Sequence, residues 1–425
     1  MNAQEIRRWL RESDPDRLQE LWRAADEARR RCVGDAVHLR ALVEISSFCV
    51  RRCAYCGLRA DRKGLERYRM GADEIVACAE QARELGCGTV VLQAGEDPAL
   101  TREWVEGLLR RLRSAVPELA ITLSLGERAE EDLAAWKQAG ADRYLLRFET
   151  SNRELYDRIH PPLADHRSDR IAILRALRRL GYEVGSGVMI GIPGQTCDDL
   201  ARDIRLFAEL ELDMIGVGPF IPHPDTPLGL ESVAGVLPAC GEGVSPLRPE
   251  GILPSVASSV SSSSSSSSSS EEETRRRETT EEETRGRDAR VTRGQDALAT
   301  RATLATLSEE MTYKMIALAR LVRPYANIPS TTALATVNRQ DGRELGLMRG
   351  ANVVMPNLTP AKYRRLYEIY PNKACVTESP EDCGGCLGRR IRAIGRHVGA
   401  GRGDSRGAVG DSGAVACRVV CGKPR

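Results

Sequence analysis

Three cysteines stand together in the run Ser46-Ser47-Phe48-Cys49-Val50-Arg51-Arg52-Cys53-Ala54-Tyr55-Cys56. Thiolates at this C-x3-C-x2-C spacing can wrap one corner of a 4Fe–4S cube through Cys49, Cys53 and Cys56, leaving the fourth iron without a protein ligand. An open iron can bind a second molecule, as the open position of a catalytic zinc does. A zinc knuckle and three thiols packed as small hydrophobes are the competing readings. Zinc wants a fourth Cys or His, and none follows within the loop, so the spacing favours the cluster. The cysteines Cys32, Cys78, Cys87, Cys197 and Cys240 are scattered without ligand spacing, and Cys417 and Cys421 fall in a glycine-rich tail. His223 and Asp225, in IPHPDTP, suit metal or acid–base work, but the flanking prolines point equally to a rigid, purely structural loop.

A loop of this kind needs a scaffold. With 41% hydrophobic residues but only four Phe and four Trp, the core must be built from Val, Leu, Ile and Ala, as in α/β proteins. The charges nearly balance, 62 basic against 60 acidic, which argues against a dedicated nucleic-acid binder. No apolar run is long enough to span a bilayer, and the charged start MNAQEIRRWLRESDPDRLQELW has no signal-peptide core. The chain is expected to work in the cytoplasm, where thirteen cysteines are better explained by metal than by disulfides.

Apolar periodicity gives the element order. Residues 3 to 33 read as helical, with Trp9-Leu10, Leu18, Leu21-Trp22 and Ala25 on one face. Strands are expected at Leu42–Ser46, Thr89–Leu92, Ile121–Leu125, Tyr144–Phe148, Val184–Ile190, Met214–Val217, Asn327–Leu334 and Asn352–Met355. Helices are expected between them, at Ala72–Leu85, Thr101–Ala115, Ala129–Ala139, Arg167–Leu180, Cys197–Glu209 and Leu307–Val322. Eight alternating units predict an α/β TIM-type (β/α)8 barrel, with an open doubly wound sheet as the alternative. In a barrel the cysteine loop, which follows the first strand, falls at the end where active sites are built.

The domain reading is an N-terminal helical extension (1–37), a barrel in two parts (38–230 and 303–370) and a cysteine-containing segment (371–397). A Ser/Glu/Arg-rich insertion (231–302) and a glycine-rich tail (398–425) lack apolar periodicity and are expected to be disordered. On a strand, residues two apart share a face, so Thr122 goes with Ser124, Arg147 with Glu149, and Gln93 with the position of Gly95. Polar residues at alternate places in apolar strands are costly unless they meet a ligand or one another. Several such sets together favour a cavity for a polar ligand.

The cysteine spacing, with Tyr55 just before the last cysteine, resembles the radical S-adenosylmethionine (SAM) superfamily. The stretches CAYCGLR, ERYRM, QAGEDP, ITLSLGE, LRFETSN, MIGIPGQT, GPFIPHPDTPL, IPSTTAL, GANVVMPNLTP and YEIYPNKAC resemble the FeFe-hydrogenase maturase family HydE, of the biotin synthase-like group. That resemblance implies a 4Fe–4S cluster on Cys49, Cys53 and Cys56 that cleaves SAM to a 5′-deoxyadenosyl radical. It implies that Gly95 and Glu96 meet the cofactor's amino group, although Ala94 replaces the first glycine of the commoner GGE form. It further implies that Ser124 and Glu149 contact the cofactor and that Arg170 pairs with its carboxylate. Gln93, Thr122, Arg147, Thr331, Thr332 and Tyr370 match residues of a deeper substrate cavity. Cys375, Cys383 and Cys386 match the ligands of an accessory iron–sulfur cluster found in some members, with a surface zinc site or idle thiols as alternatives.

By resemblance the substrate is a small iron–cysteine precursor, and the partners are an electron donor and other hydrogenase maturation proteins, with no nucleic acid and no membrane. A methylornithine synthase-like mutase or a biotin synthase-like sulfur inserter is the nearest alternative, and a noncatalytic metal-binding scaffold is another.

Overall fold

The structure, a computed structural model, describes residues 1–164, 167–233, 308–377 and 380–405. Six strands follow the expected apolar runs: β1 (Ala36–Ser46), β2 (Thr89–Ala94), β3 (Ala120–Ser124), β4 (Arg143–Leu145), β5 (Glu183–Ile190) and β6 (Met214–Pro219). Each pairs in parallel with the next. β7 (Val353–Val354) pairs with the other edge of β1. Single bridges Met214↔Asn327 and Pro329↔Val353 carry the pairing from β6 to β7, so the ring of staves returns to its start. This is a closed, TIM-like barrel, and the open sheet is excluded.

The helices in chain order are α1 (Ala3–Arg11), α2 (Pro15–Val33), α3 (Ala72–Glu84), α4 (Arg102–Ala115), α5 (Glu130–Gln138), α6 (Arg153–Ile159), α7 (Arg170–Arg179), α8 (Cys197–Glu209), α9 (Pro227–Val233) and α10 (308–322), followed by α11 (Thr332–Val337), α12 (Gly342–Met348), α13 (Ala361–Arg364) and α14 (Pro380–Ala393). Between strands they cover the outer face of the sheet. Register explains why: Val90 pairs with Ile121 and Leu92 with Leu123, all fully buried in the apolar core. The alternate positions, Glu44, Gln93 and Ser124, lie side by side across β1, β2 and β3 on the opposite, inner face.

Several expectations need correction. The first thirty residues form two helices rather than one. Pro15 cannot continue a helix, and Asp14 instead caps α2, accepting from Asp16 N at 2.8 Å and Arg17 N at 3.2 Å. Asn327–Leu334 is not a strand: after the two bridges Thr331 caps α11, which Thr332 opens. Pro329 has no N–H to continue a ladder, which confines the pairing there to isolated bridges. β4 stops at Leu145, and α7 begins only at Arg170.

Chain ends also differ from expectation. Glu231, Ser232 and Val233 still belong to α9, while the serine run lies outside the described residues. The tail is ordered as far as Ser405. β8 (His397–Val398) pairs with the start of β1, and the following residues fill the floor of the barrel. There Arg143 donates to the Arg402 carbonyl at 3.0 Å and to Asp404 at 2.5 Å, and Asn327 to the Gly403 carbonyl at 3.0 Å. Buried donors on the strand bottoms demand acceptors, and this glycine-rich segment supplies them. Residues 406–425, with Cys417 and Cys421, lie outside the described residues.

Candidate active site

β1 ends in Ser46 and Ser47, and the chain then opens into the cysteine loop and folds back on itself. Ser47 N donates to Tyr68 O at 3.1 Å, Met70 N to Ile45 O at 2.9 Å, and Ser46 bridges antiparallel to Arg69. The exit of β2 presses against the loop: Gly95 N donates to Ser46 O at 3.1 Å and Val50 N to Glu96 O at 3.0 Å. A Cβ on Gly95 would stand 2.1 Å from Phe48 O and 2.8 Å from the Cys49 Cβ, so this approach requires glycine. Behind Gly57, a Cβ would meet the His223 ring at 2.8 Å. His223 is buried, accepts from Asp225 N at 3.1 Å, and Asp225 pairs with Arg62 at 2.9 Å. Both residues therefore pack behind the cysteine loop.

Two backbone amides are aimed at the cysteine sulfurs. Glu96 N points to the Cys49 sulfur and Leu58 N to the Cys56 sulfur, each at 3.4 Å. Burial pushes all three thiols up, Cys56 to about 12, and neighbouring thiols raise Cys53 and Cys56 further. Arg170 works the other way on Cys53, and Arg67 on Cys49 and Cys56. Three buried thiolates are stable together only around a cation. Among the described residues no three His, Cys, Asp or Glu side chains converge tightly enough for one metal ion.

Charged groups rim the loop. Arg51, within the loop, pairs with Glu96 at 2.7 Å and with Glu127 at 2.9 Å. Glu127 also accepts from Arg170 Nε at 2.8 Å and from Ser168 Oγ at 2.5 Å. Burial alone would raise the Glu127 carboxyl, but Arg170, Ser168 and Arg51 hold it down to about 2. Arg170 donates in addition to Arg147 O at 2.7 Å and contacts the His160 ring at 2.5 Å. Burial, aided by Arg170, depresses His160 to about 3 and keeps it neutral. Glu149 has a left-handed backbone, φ 61°, which is strained for a non-glycine residue and typical of functional sites. It pairs with Arg147 at 3.1 Å, and Tyr55 OH stands 3.5 Å from it.

Below the rim lies a polar interior. Gln93 and Ser124 are register partners, and Gln93 Nε2 reaches Tyr367 OH at 3.3 Å. Thr122 Oγ1 is buried without a hydrogen-bond partner. Thr331 borders the same face, 3.2 Å from where a Cβ on Gly218 would stand, and burial pushes the Tyr370 phenol up. At the centre Glu44 pairs with Lys373 and accepts from Asn357 Nδ2 at 3.1 Å.

Arg51, Glu127, His160, Glu44 and Lys373 escaped the sequence reading. Glu44 was detectable, being a carboxylate between Val43 and Ile45 in an apolar strand. Of the second cysteine set, Cys375 (φ 62°) accepts from Arg343 Nη2 at 3.3 Å, and Cys386 meets Arg390, which pairs with Glu344. Both therefore face the start of α12, while the Cys383 side chain lies outside the described residues.

Residues 43–219 match the family model of the Radical SAM superfamily, and with the barrel and its cysteine loop they define a radical SAM enzyme. Membership implies a 4Fe–4S cluster and SAM as cofactors. Over 379 residues, 89% of this chain and 86% of the relative, the sequence is 38% identical to "[FeFe] hydrogenase maturase subunit HydE" of Thermotoga maritima. The chain belongs to the HydE family. Similarity to 3-methylornithine synthase of Methanosarcina acetivorans is lower, 25% over 54% of this chain and 64% of that one. The solved structure of methylornithine synthase (PylB) superposes with a TM-score of 0.67 at 21% identity, covering 94% of each chain, which shows a shared fold. No helix among the described residues is long and apolar enough to cross a membrane.

Proposed function

We propose that the chain is a cytoplasmic maturase that helps build the diiron subcluster of FeFe-hydrogenase from a small iron–cysteine precursor. Cys49, Cys53 and Cys56 would hold the 4Fe–4S cluster, with Gly95, Glu96, Ser124, Glu149 and Arg170 receiving SAM. When bound, cluster and cofactor together supply a 5′-deoxyadenosyl radical. The chain's own residues orient, neutralise and enclose. Gly95 lets the β2 exit lie flat against the cysteine loop. Glu127 fixes the loop through Arg51 and the cofactor side through Arg170 with one buried carboxylate. Gln93, Thr122, Arg147, Thr331, Thr332 and Tyr370 would line the substrate cavity, which the 397–405 segment shuts off from below.

The barrel parts 38–230 and 303–370 form the catalytic unit in this reading, flanked by the helical extension 1–37 and interrupted by the insertion 231–302. Cys375, Cys383 and Cys386, in 371–397, would hold an accessory cluster dispensable for SAM cleavage. An electron donor and the other maturation proteins are the expected partners.

The observation that carries this reading is the convergence of a three-cysteine loop and a buried Glu127–Arg170 pair at one end of a barrel whose interior is polar. Similarity to HydE over nearly the whole chain favours it over the mutase and sulfur-insertion alternatives. The test is anaerobic reconstitution with iron, sulfide, SAM and dithionite. 5′-Deoxyadenosine should form, rise with a small iron–cysteine complex, and vanish in Cys53→Ala. Unimpaired turnover in that variant, or a wild-type loop that takes up only zinc, overturns the reading.

A further inference from the structure

Arg67 lies where the chain, having left β1 through the cysteine loop, returns to it. Its guanidinium donates only to backbone carbonyls: Ser47 O at 2.5 Å, Leu58 O at 3.0 Å and Arg59 O at 2.7 Å. Ser47 stands just before the first cysteine of the loop, and Leu58 and Arg59 stand just after the last. One side chain therefore ties the loop's entry to its exit. The neighbouring Tyr68 and Met70 add backbone bonds to Ser47 and Ile45, at 3.1 and 2.9 Å, so the tie sits on a fixed base.

Three neighbouring arginines are neutralised, whereas Arg52, in the loop itself, is exposed to solvent. Arg51 is paired with Glu96 and Glu127, Arg170 with Glu127, and Arg69 with Asp97. Among the described residues no carboxylate stands within ion-pair distance of Arg67, whose hydrogen bonds all end on neutral oxygens. Its full positive charge is left to act on what the loop encloses.

We propose that Arg67 is a positioning residue of the iron–sulfur site, clasping the cysteine loop closed and easing the cluster's reduction with its unneutralised charge. The inference rests on the reading that Cys49, Cys53 and Cys56 hold the cluster. Adding one electron makes a cluster one unit more negative, so a fixed cation nearby stabilises the reduced state more than the oxidised one. Net charge around a cluster is one of the levers that set its potential, and in a partly buried site salt screens that charge little. Arginine suits both tasks: its planar fork reaches carbonyls on two sides, and it stays charged at any working pH.

The test uses full-length protein reconstituted anaerobically without SAM, as wild type, Arg67→Gln and Arg67→Lys. Iron and sulfide content, the midpoint potential from a dithionite titration followed by electron paramagnetic resonance, and the rate of iron loss to a chelator are measured. Arg67→Gln should have a more negative potential than wild type. Arg67→Lys should keep a potential near that of wild type, and both should lose iron faster. A fully loaded Arg67→Gln protein with an unchanged potential overturns the inference. Where Arg67→Gln does not load, Arg67→Lys decides: faster iron loss at a wild-type potential supports it, and loss at the wild-type rate or a clearly displaced potential overturns it. A wild-type chain that assembles no 4Fe–4S cluster sinks the site assignment instead, and is seen before either variant is compared.

Discussion

Glu44, near the end of the first strand, and Lys373, 329 residues later, form an ion pair inside the barrel with side chains 0% and 5% exposed. Lys373 also lies 5.2 Å from the centre of the Tyr367 ring, and Thr359 Oγ1 accepts from Glu44 N at 2.8 Å. The strand that launches the cysteine loop is thereby fastened to the segment that leads into Cys375. A buried pair of this kind is costly to break from one side, because the surviving charge is left alone in a poor solvent.

Lys373→Met should therefore lower unfolding stability by about 3–5 kcal/mol, and Glu44→Gln by a comparable amount. The double variant should be less destabilised than the sum of the two. Additive effects in chemical denaturation would mean that the charges do not interact.

Glu127 gives a pH signature. Its carboxyl is held at about 2 rather than 4.5, so its stabilising effect is complete above pH 4.5 and fades as pH falls toward 2. The shift corresponds to roughly 3 kcal/mol at neutral pH. Glu127→Gln should be less stable than wild type at pH 6, with the gap closing as the solution is acidified. A gap of constant size from pH 6 to pH 3 argues that Glu127 is not the anion its partners hold.

Gly95→Ala forces a Cβ toward Phe48 O, 2.1 Å away in the present backbone. The loop must move, at a cost of about 1–3 kcal/mol. Reconstituted protein should then carry less iron while its circular dichroism stays native. Normal iron content would show that β2 and the loop separate freely.

Thr122 tests the cavity. Its Oγ1 is buried without a partner, so Thr122→Val removes an unsatisfied polar atom and should leave the ligand-free protein equally stable, or more stable by about 1 kcal/mol. Substrate-stimulated deoxyadenosine formation should weaken in the same variant. Full stimulation by the iron–cysteine complex would remove Thr122 from the cavity assignment.

Cys383→Ala addresses the second cysteine set. Iron content should fall while SAM cleavage without substrate is retained. Loss of cleavage would make this set part of the radical machinery rather than an accessory to it.

The cysteine loop and the strands were legible in the sequence because both are written in local spacing: thiols a few residues apart, and apolar residues at every second position. The loop's placement at the active end followed directly from its position after β1. The failures have equally local causes. Asn327–Leu334 is apolar enough for a strand, yet Pro329 and the capping Thr331 turn it into two bridges and a helix. The glycine-rich 399–405 segment shows no periodicity, and it is held because it supplies acceptors to Arg143 Nη2 and Asn327 Nδ2 at the barrel floor.

Sequence alone determined which thiols stand together and which strand carries them, since covalent neighbours stay neighbours in any fold. Tertiary structure alone decided which charges are cancelled. Glu127 lies 43 residues from Arg170 and far from Arg51 along the chain, and nothing local announces that it serves both. Arg67 reads in sequence as one basic residue among many, and is distinguished only by meeting carbonyls at both ends of the cysteine loop, where Arg51, Arg69 and Arg170 meet carboxylates. Electrostatic pairing depends on distance through space, and closing the barrel is what sets those distances.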